Sequence, residues 1–306
     1  MGDRSFRWKT IFAFTAIYVI WGSTYLAIRY AVETIPPFLL MGTRSLLAGS
    51  ILLLWSRSRG TAELRREHLP ALLIIGFSFF LVGHGLLAWA QQRVPSGLAA
   101  VLVASEPLVI FVIEWIFVRD TRIGPRGVFG LMLGFAAIIY LVASTKGIDA
   151  SQTDVLASIA IVFGASSWAA GAVYSRVATL PRSPIMAAGM ELIVGGVLLL
   201  CFSAGLGEIQ SFQLAAVSTR SLLGLAYLVI FGSVIAFSAY LWLLGHTSAT
   251  RISTHTYVNP IIAVLLGWLI AEEQLTVELL IAAVFIIASV ALVLNDRRVP
   301  AVRGKS

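Results

Sequence analysis

Apolar residues run in ten long stretches, separated by short segments that hold the charges, prolines and glycines. The stretches are 10–28, 37–55, 69–91, 96–118, 127–144, 155–174, 185–204, 222–244, 252–271 and 275–294. A helix needs about 20 mostly apolar residues to cross the hydrocarbon core. In lipid each backbone polar group must be satisfied within the segment, which favours helices. The ten-residue alternation of an outer-membrane barrel is absent. The pattern predicts an all-α integral membrane protein with ten transmembrane helices.

Composition agrees. Of 306 residues 58% are hydrophobic and 12% charged, with a mean hydropathy of +0.91. A water-soluble domain carries about 25% charged residues, so a soluble enzyme, a secreted disulfide scaffold and a disordered chain are excluded. Cys201 is the only cysteine, which leaves no intrachain disulfide and no thiolate metal site.

The net charge of +7 is explained by topology before nucleic acid. Seventeen of the basic residues fall on one side of the ten-span layout, among them Arg4, Lys9, Arg57, Arg119, Arg122, Arg176, Arg251, Arg297 and Lys305. Four, Arg29, Arg93, Lys146 and Arg220, fall on the other. The positive-inside rule then puts both termini in the cytoplasm of a bacterial cell, in the inner membrane. The first apolar run lacks a small-residue cleavage site and reads as a retained span rather than a signal peptide.

The chain repeats itself. Trp21, Arg29, Pro37, Gly42 and Gly49 recur 147 residues later as Trp168, Arg176, Pro184, Gly189 and Gly196. Trp89, Pro107 and Trp115 recur 153 residues later as Trp242, Pro260 and Trp268. Two five-helix repeats, 9–145 and 152–295, follow. Five is odd, so the repeats enter the membrane in opposite senses. Inverted repeats are a construction principle of secondary transporters, with the substrate site near the midplane between them.

Several motifs carry a family resemblance: Trp21-Gly22-Ser23-Thr24-Tyr25, Arg44, Pro95-Ser96-Gly97, Glu106-Pro107, Val258-Asn259-Pro260 and Glu272. Across residues 9–295 the chain resembles the drug/metabolite transporter superfamily, in the family built from two EamA domains. The halves differ where the fourth span ends in Arg119-Asp120 and the ninth in the more usual Glu272-Glu273. The resemblance implies an inner-membrane exporter of small metabolites, amino acids or related compounds first, working by alternating access with or without proton coupling. It also implies a cavity walled by the first, third, fourth, sixth, eighth and ninth helices. The alternatives are an uncoupled facilitator of amphipathic metabolites or drugs, a lipid scramblase or a membrane enzyme. The expected partners are a small-molecule substrate, the lipid bilayer and protons, with no nucleic acid; monomer and homodimer both stay open.

Ionisable residues at membrane depth need a reason to be there. Glu106 precedes Pro107, and a proline frees a carbonyl one turn back. An acid at such a break is a candidate site for a cation or proton; the rival reading is a carboxyl bonding a neighbouring helix. Its repeat partner is Asn259 beside Pro260, the second expected helix break. Arg44 and Glu191 hold equivalent repeat positions and suggest a structural ion pair, with Arg44 on a substrate carboxylate as the alternative. Glu114 lies about 80° round the helix from Glu106 after two turns, or simply snorkels. His84, between two glycines, either relays protons or makes a polar helix contact. Trp21 and Trp168 lie midway along their spans and, with Tyr25, His84, Tyr257 and Asn259, are the expected cavity lining. Gly130 and Gly134 predict close helix packing. Pro95-Ser96-Gly97 reads as a tight helix start. No cofactor, nucleotide or metal motif is present.

Overall fold

The computed structural model describes residues 2–60, 65–117, 124–144, 152–244, 246–247, 252 and 254–296. Arg119, Asp120, Arg122, Lys146, Arg251, Arg297, Arg298, Arg303 and Lys305 lie outside the described residues, as do 145 and 118 at two expected boundaries.

Among the described residues the fold is all-helical. Nine helices are long and apolar enough to cross a membrane: α1 Phe6–Ala31, α2 Pro37–Ser58, α3 Arg66–Ala90, α4 Ser96–Phe117, α5 Pro125–Ser144, α6 Val155–Ser175, α7 Pro184–Gly205, α8 Thr219–Tyr240 and α10 Val277–Asn295. Between the last two lies α9, His255–Ala271. Its 17 residues reach about 26 Å at 1.5 Å per residue, short of a hydrocarbon core of about 30 Å. The ninth expected span is thus a shorter helix, because Thr254 just before it sits in a turn.

Local chemistry sets several ends. Pro37, Pro125 and Pro184 open α2, α5 and α7, where a missing N–H costs nothing. Gly207, with φ of 77°, ends the turn after α7 in the left-handed region that glycine adopts freely. Glu272 closes α9 with φ of 54°.

The helices are not uniform. π-helical turns interrupt α1 at Ala16–Ile20, α3 at Gly76–His84 and α8 at Leu228–Ile235. The α4 helix leaves helical geometry at Ala104 and Ser105, directly before Glu106. Pro107 has no N–H for the carbonyl one turn back. The Ser105 hydroxyl donates to Leu102 O at 2.6 Å and so satisfies one carbonyl at the break. Pro260 behaves differently and corrects an expectation: α9 runs through it without interruption. It is the sixth residue of its helix, so its missing N–H removes one intrahelical bond while the helix continues on both sides.

The packing has internal order. The α2 helix packs on α7, α5 on α10 and α4 on α9. The α1 helix packs on α8 and α9, just as α6 packs on α3 and α4. The α2 helix also meets α8, as α7 meets α3. Exchanging α1–α5 with α6–α10 maps this set of pairs onto itself.

The α2–α7 crossing shows the same relation atom by atom. A Cβ on Gly42 would fall 2.6 Å from Leu200, and one on Gly189 would fall 2.9 Å from Leu53. Gly49 stands against Ile193 at 3.0 Å, and Gly196 against Leu46 at 2.9 Å. Residue numbers rise along α2 as they fall along α7, so the two are antiparallel. Glycines let backbones approach where lipid offers no hydrophobic drive for helices to associate. The expected close packing of Gly130 and Gly134 is within the chain, against Ser289 of α10.

Candidate functional site

Polar side chains from both halves gather where α1 and α6 pass the π-helical turns of α8 and α3. Trp21 Nε1 donates to Gly232 O at 3.1 Å, inside the π-helical turn of α8. Its ring lies 5.4 Å from Tyr240 and 5.2 Å from His255. Trp168 sits in the matching place on α3: it stacks on Phe79 at 4.2 Å and lies 4.8 Å from His84. Each tryptophan therefore reads the irregular turn of a helix in the other half. Gly83 and Gly164 allow that approach, since a Cβ on Gly164 would stand 3.2 Å from Gly83 O.

Arg44 lies between these two groups. It is buried; its Nε donates to Ser233 Oγ at 2.9 Å and its Nη1 faces Met41 Sδ at 3.7 Å. Its Nη2 is 3.5 Å from where a Gly232 Cβ would be. His84 is within electrostatic range of it. Among the described residues Arg44 makes no ion pair with Glu191, which corrects that expectation. The two helices meet through Gly42, Gly49, Gly189 and Gly196. Arg44 and Glu191 each lie two residues past such a glycine, about 200° round the helix, and so point away from the shared interface.

Glu106 opens the second half of α4, and its carboxyl has no hydrogen-bond or ion-pair partner among the described residues. Tyr25 of α1 and Tyr240 of α8 lie within its electrostatic range. Tyr25, His84 and Glu106 are enclosed by protein, yet each keeps accessible surface. All three are half-buried within the bundle. Tyr257 is half-buried and packs against the main core. Asn259 is buried. With its donor facing acceptors, its amide donates to His255 O and Tyr18 O, each at 3.1 Å, so its polarity goes into joining α9 to α1.

The two ends of the bundle differ. At the end holding Arg29, that side chain donates to Gln91 O at 2.9 Å and Gln92 O at 3.2 Å. Glu273 accepts from Ser96 N at 2.7 Å and Gly97 N at 3.0 Å, capping the first turn of α4. Pro95-Ser96-Gly97 is thus a helix start with a carboxylate on it. Tyr30 donates to Ile270 O at 3.2 Å, and Glu33 pairs with Arg220 at 3.7 Å. A cavity of about 690 Å³ opens at this end, lined in part by Glu33, Phe38, Trp89, Phe202 and Glu208. None of the expected lining residues borders it. At the opposite end Arg176 of the α6–α7 turn pairs with Glu114 of α4, and Tyr18 bonds Thr254 at 2.5 Å. Glu114 is buried and paired, not snorkelling. Among the described residues no three His, Cys, Asp or Glu gather as a metal site.

Sequence reasoning passed over Ser233, Tyr240 and Glu273 as site residues. Ser233 carried no signal, because a serine in an apolar run is common. Tyr240 and Glu273 were visible as polar groups, but their partners come from distant helices.

The model of the EamA-like transporter family matches the chain twice, at residues 8–143 and 155–295. The protein named "Uncharacterized inner membrane transporter YedA" of Escherichia coli (strain K12) is 37% identical over 292 residues, covering 94% of this chain and 92% of its own. "Uncharacterized transporter YvbV" of Bacillus subtilis (strain 168) is 25% identical, covering 93% and 91%. One solved crystal structure shares the fold with a TM-score of 0.62 at 21% identity, covering 93% of this chain and 95% of its own.

Proposed function

The chain belongs to the EamA-like transporter family, and on that premise we propose that it is an inner-membrane secondary transporter that exports a small metabolite. Amino acids and related compounds are the first substrates to test. The observation that carries the reading is the self-mapping set of helix pairs, with Trp21, Arg44, His84, Glu106 and Trp168 where the two halves meet. Ten helices in two inverted five-helix repeats, 9–145 and 152–295, account for that pattern. The antiparallel α2–α7 crossing and the two separate family matches support them. Both termini face the cytoplasm.

In this reading α1 and α6 rock against α8–α9 and α3–α4 and expose a central space at one end and then the other. The polar joins at each end must break and reform in turn. A solvent-exposed ion pair contributes roughly 0–1 kcal/mol and a hydrogen bond about 0.5–1.5 kcal/mol. The end with Arg29 is closed by contacts of this size, and the other by the Glu114–Arg176 pair, whose carboxylate is buried. Glu106 has no partner to compete for its carboxyl, so it is the group that takes up and releases a proton as the space changes sides.

The experiment is transport into proteoliposomes of labelled amino acids, with and without a pH gradient, for the wild type and Glu106→Gln. Gradient-driven uptake lost in the variant, with counterflow kept, establishes coupling through Glu106. Gradient-independent flux unchanged by the substitution leaves a facilitator. Movement of labelled lipid without metabolite flux would overturn the transporter reading.

A further inference from the structure

The group between the two halves holds a fixed cation without an anion to match it. Arg44 is 7% exposed. Its partners are neutral, Ser233 Oγ and Met41 Sδ, and its Nη2 has no acceptor among the described residues. Glu191 turns from the α2–α7 seam and makes no ion pair with Arg44 among the described residues, and Glu106 lies within electrostatic range of Tyr25 and Tyr240. A buried charge without a partner is strongly unfavourable, and chains normally neutralise it or do without it. His84 lies within electrostatic range of Arg44, and its Nδ1 is buried and also lacks a partner. Trp21 bonds Gly232, next to Ser233, and the Trp168 ring lies 4.8 Å from His84.

This arrangement leaves an unpaired donor group of a planar guanidinium close to aromatic surface. A guanidinium matches a carboxylate or a phosphate in charge and in fork geometry, and a single cation set among aromatic rings suits the singly charged carboxylate. Indole faces take the carbon skeleton attached to it. We propose that Arg44 anchors the carboxylate of the transported compound, so that the substrate class is small organic carboxylates with an apolar body. The inference rests on the transporter reading and narrows it: an amine or a neutral amphiphile is excluded as the main substrate.

A charge held for a ligand and a charge needed for structure behave oppositely when removed. Purified full-length protein is melted with and without 3-phenylpropionate, 4-methylpentanoate, L-phenylalanine and L-leucine, and with the amide of each. At least one acid raises the wild-type midpoint, and its amide does not. Arg44→Met melts at or above the wild-type temperature without ligand, and its affinity for that acid falls at least tenfold by tryptophan-fluorescence titration. An Arg44→Met midpoint clearly below wild type makes the residue structural and overturns the proposal. So does an amide that binds as well as its acid, or a failure of all four acids to shift the midpoint. Counterflow of the same compounds in proteoliposomes separates the two layers. Exchange of amides but not acids keeps the transporter and ends the carboxylate anchor, whereas lipid movement with no exchange ends both.

Discussion

Gly49 stands against the backbone of Gly189: a Cβ on the first would lie 2.9 Å from the carbonyl oxygen of the second. The neighbour is main chain and cannot swing aside. Gly49→Ala therefore forces α2 and α7 apart, at a cost of about 1–3 kcal/mol for overpacking. Gly205 ends α7 with no atom within 4 Å of its Cβ position, so Gly205→Ala is expected to be neutral or slightly stabilising through helix propensity. Thermal unfolding of both variants in one detergent checks the contrast. Equal midpoints would mean that the crossing is looser than this.

Trp21→Phe keeps a ring beside Tyr240 and His255 but removes the donor to Gly232 O. A carbonyl of the α8 π-helical turn is then left unpaired, which costs about 1–3 kcal/mol if no water replaces the indole. Trp168 makes ring contacts only among the described contacts, so Trp168→Phe is milder. Melting of the two variants side by side should rank them in that order.

Glu273→Ala strips the carboxylate from two backbone N–H groups at the start of α4. Losses of helix caps fall at about 0.5–2 kcal/mol. Glu272→Ala, one residue earlier and exposed, is the control, although it also changes a left-handed position. Hydrogen exchange at the Ser96 and Gly97 amides would rise in the first variant; unchanged protection there would discount the cap.

Glu114 and Arg176 join α4 to the α6–α7 turn. Glu114→Arg or Arg176→Glu places like charges together and should weaken the closure of that end, whereas the double exchange restores it. Labelling of a cysteine introduced at Ser175, in protein whose Cys201 is replaced by Ser, reports the opening. A double variant that labels as readily as either single one would show that the pair is incidental.

Fusions of a cytoplasm-active reporter to either terminus should both be active, and reporters fused after Glu33 or Gln213 should not. Activity at only one terminus would break the two-repeat layout.

Much of the helix layout was legible because lipid demands long apolar runs, and α2, α7 and their glycines fell where the 147-residue offset put them. The fixed recurrences of Trp, Pro, Arg and Gly also marked Trp21 and Trp168, which occupy matching places on α8 and α3. What stayed hidden was the facing of side chains. In a soluble helix the apolar stripe points inward, but a membrane helix is apolar all round, so nothing in the spacing of Arg44 and Glu191 says that both turn from the α2–α7 seam. Pro260 was misread because its effect depends on how far into the helix it falls. The partners of Glu273 and Tyr240 depend on packing between segments far apart in the chain.

In the proposed alternating-access cycle, two identical halves related by exchange would give inward-open and outward-open forms of equal free energy, a degenerate pair. This chain lifts the degeneracy: Arg44 faces Glu191 across the exchange, Glu106 faces Asn259, and Glu114 faces Gly267. Each mismatch favours one form over the other, and 1.4 kcal/mol of such bias already makes a tenfold population difference. In that cycle the resting orientation is set at the places where the second half fails to copy the first.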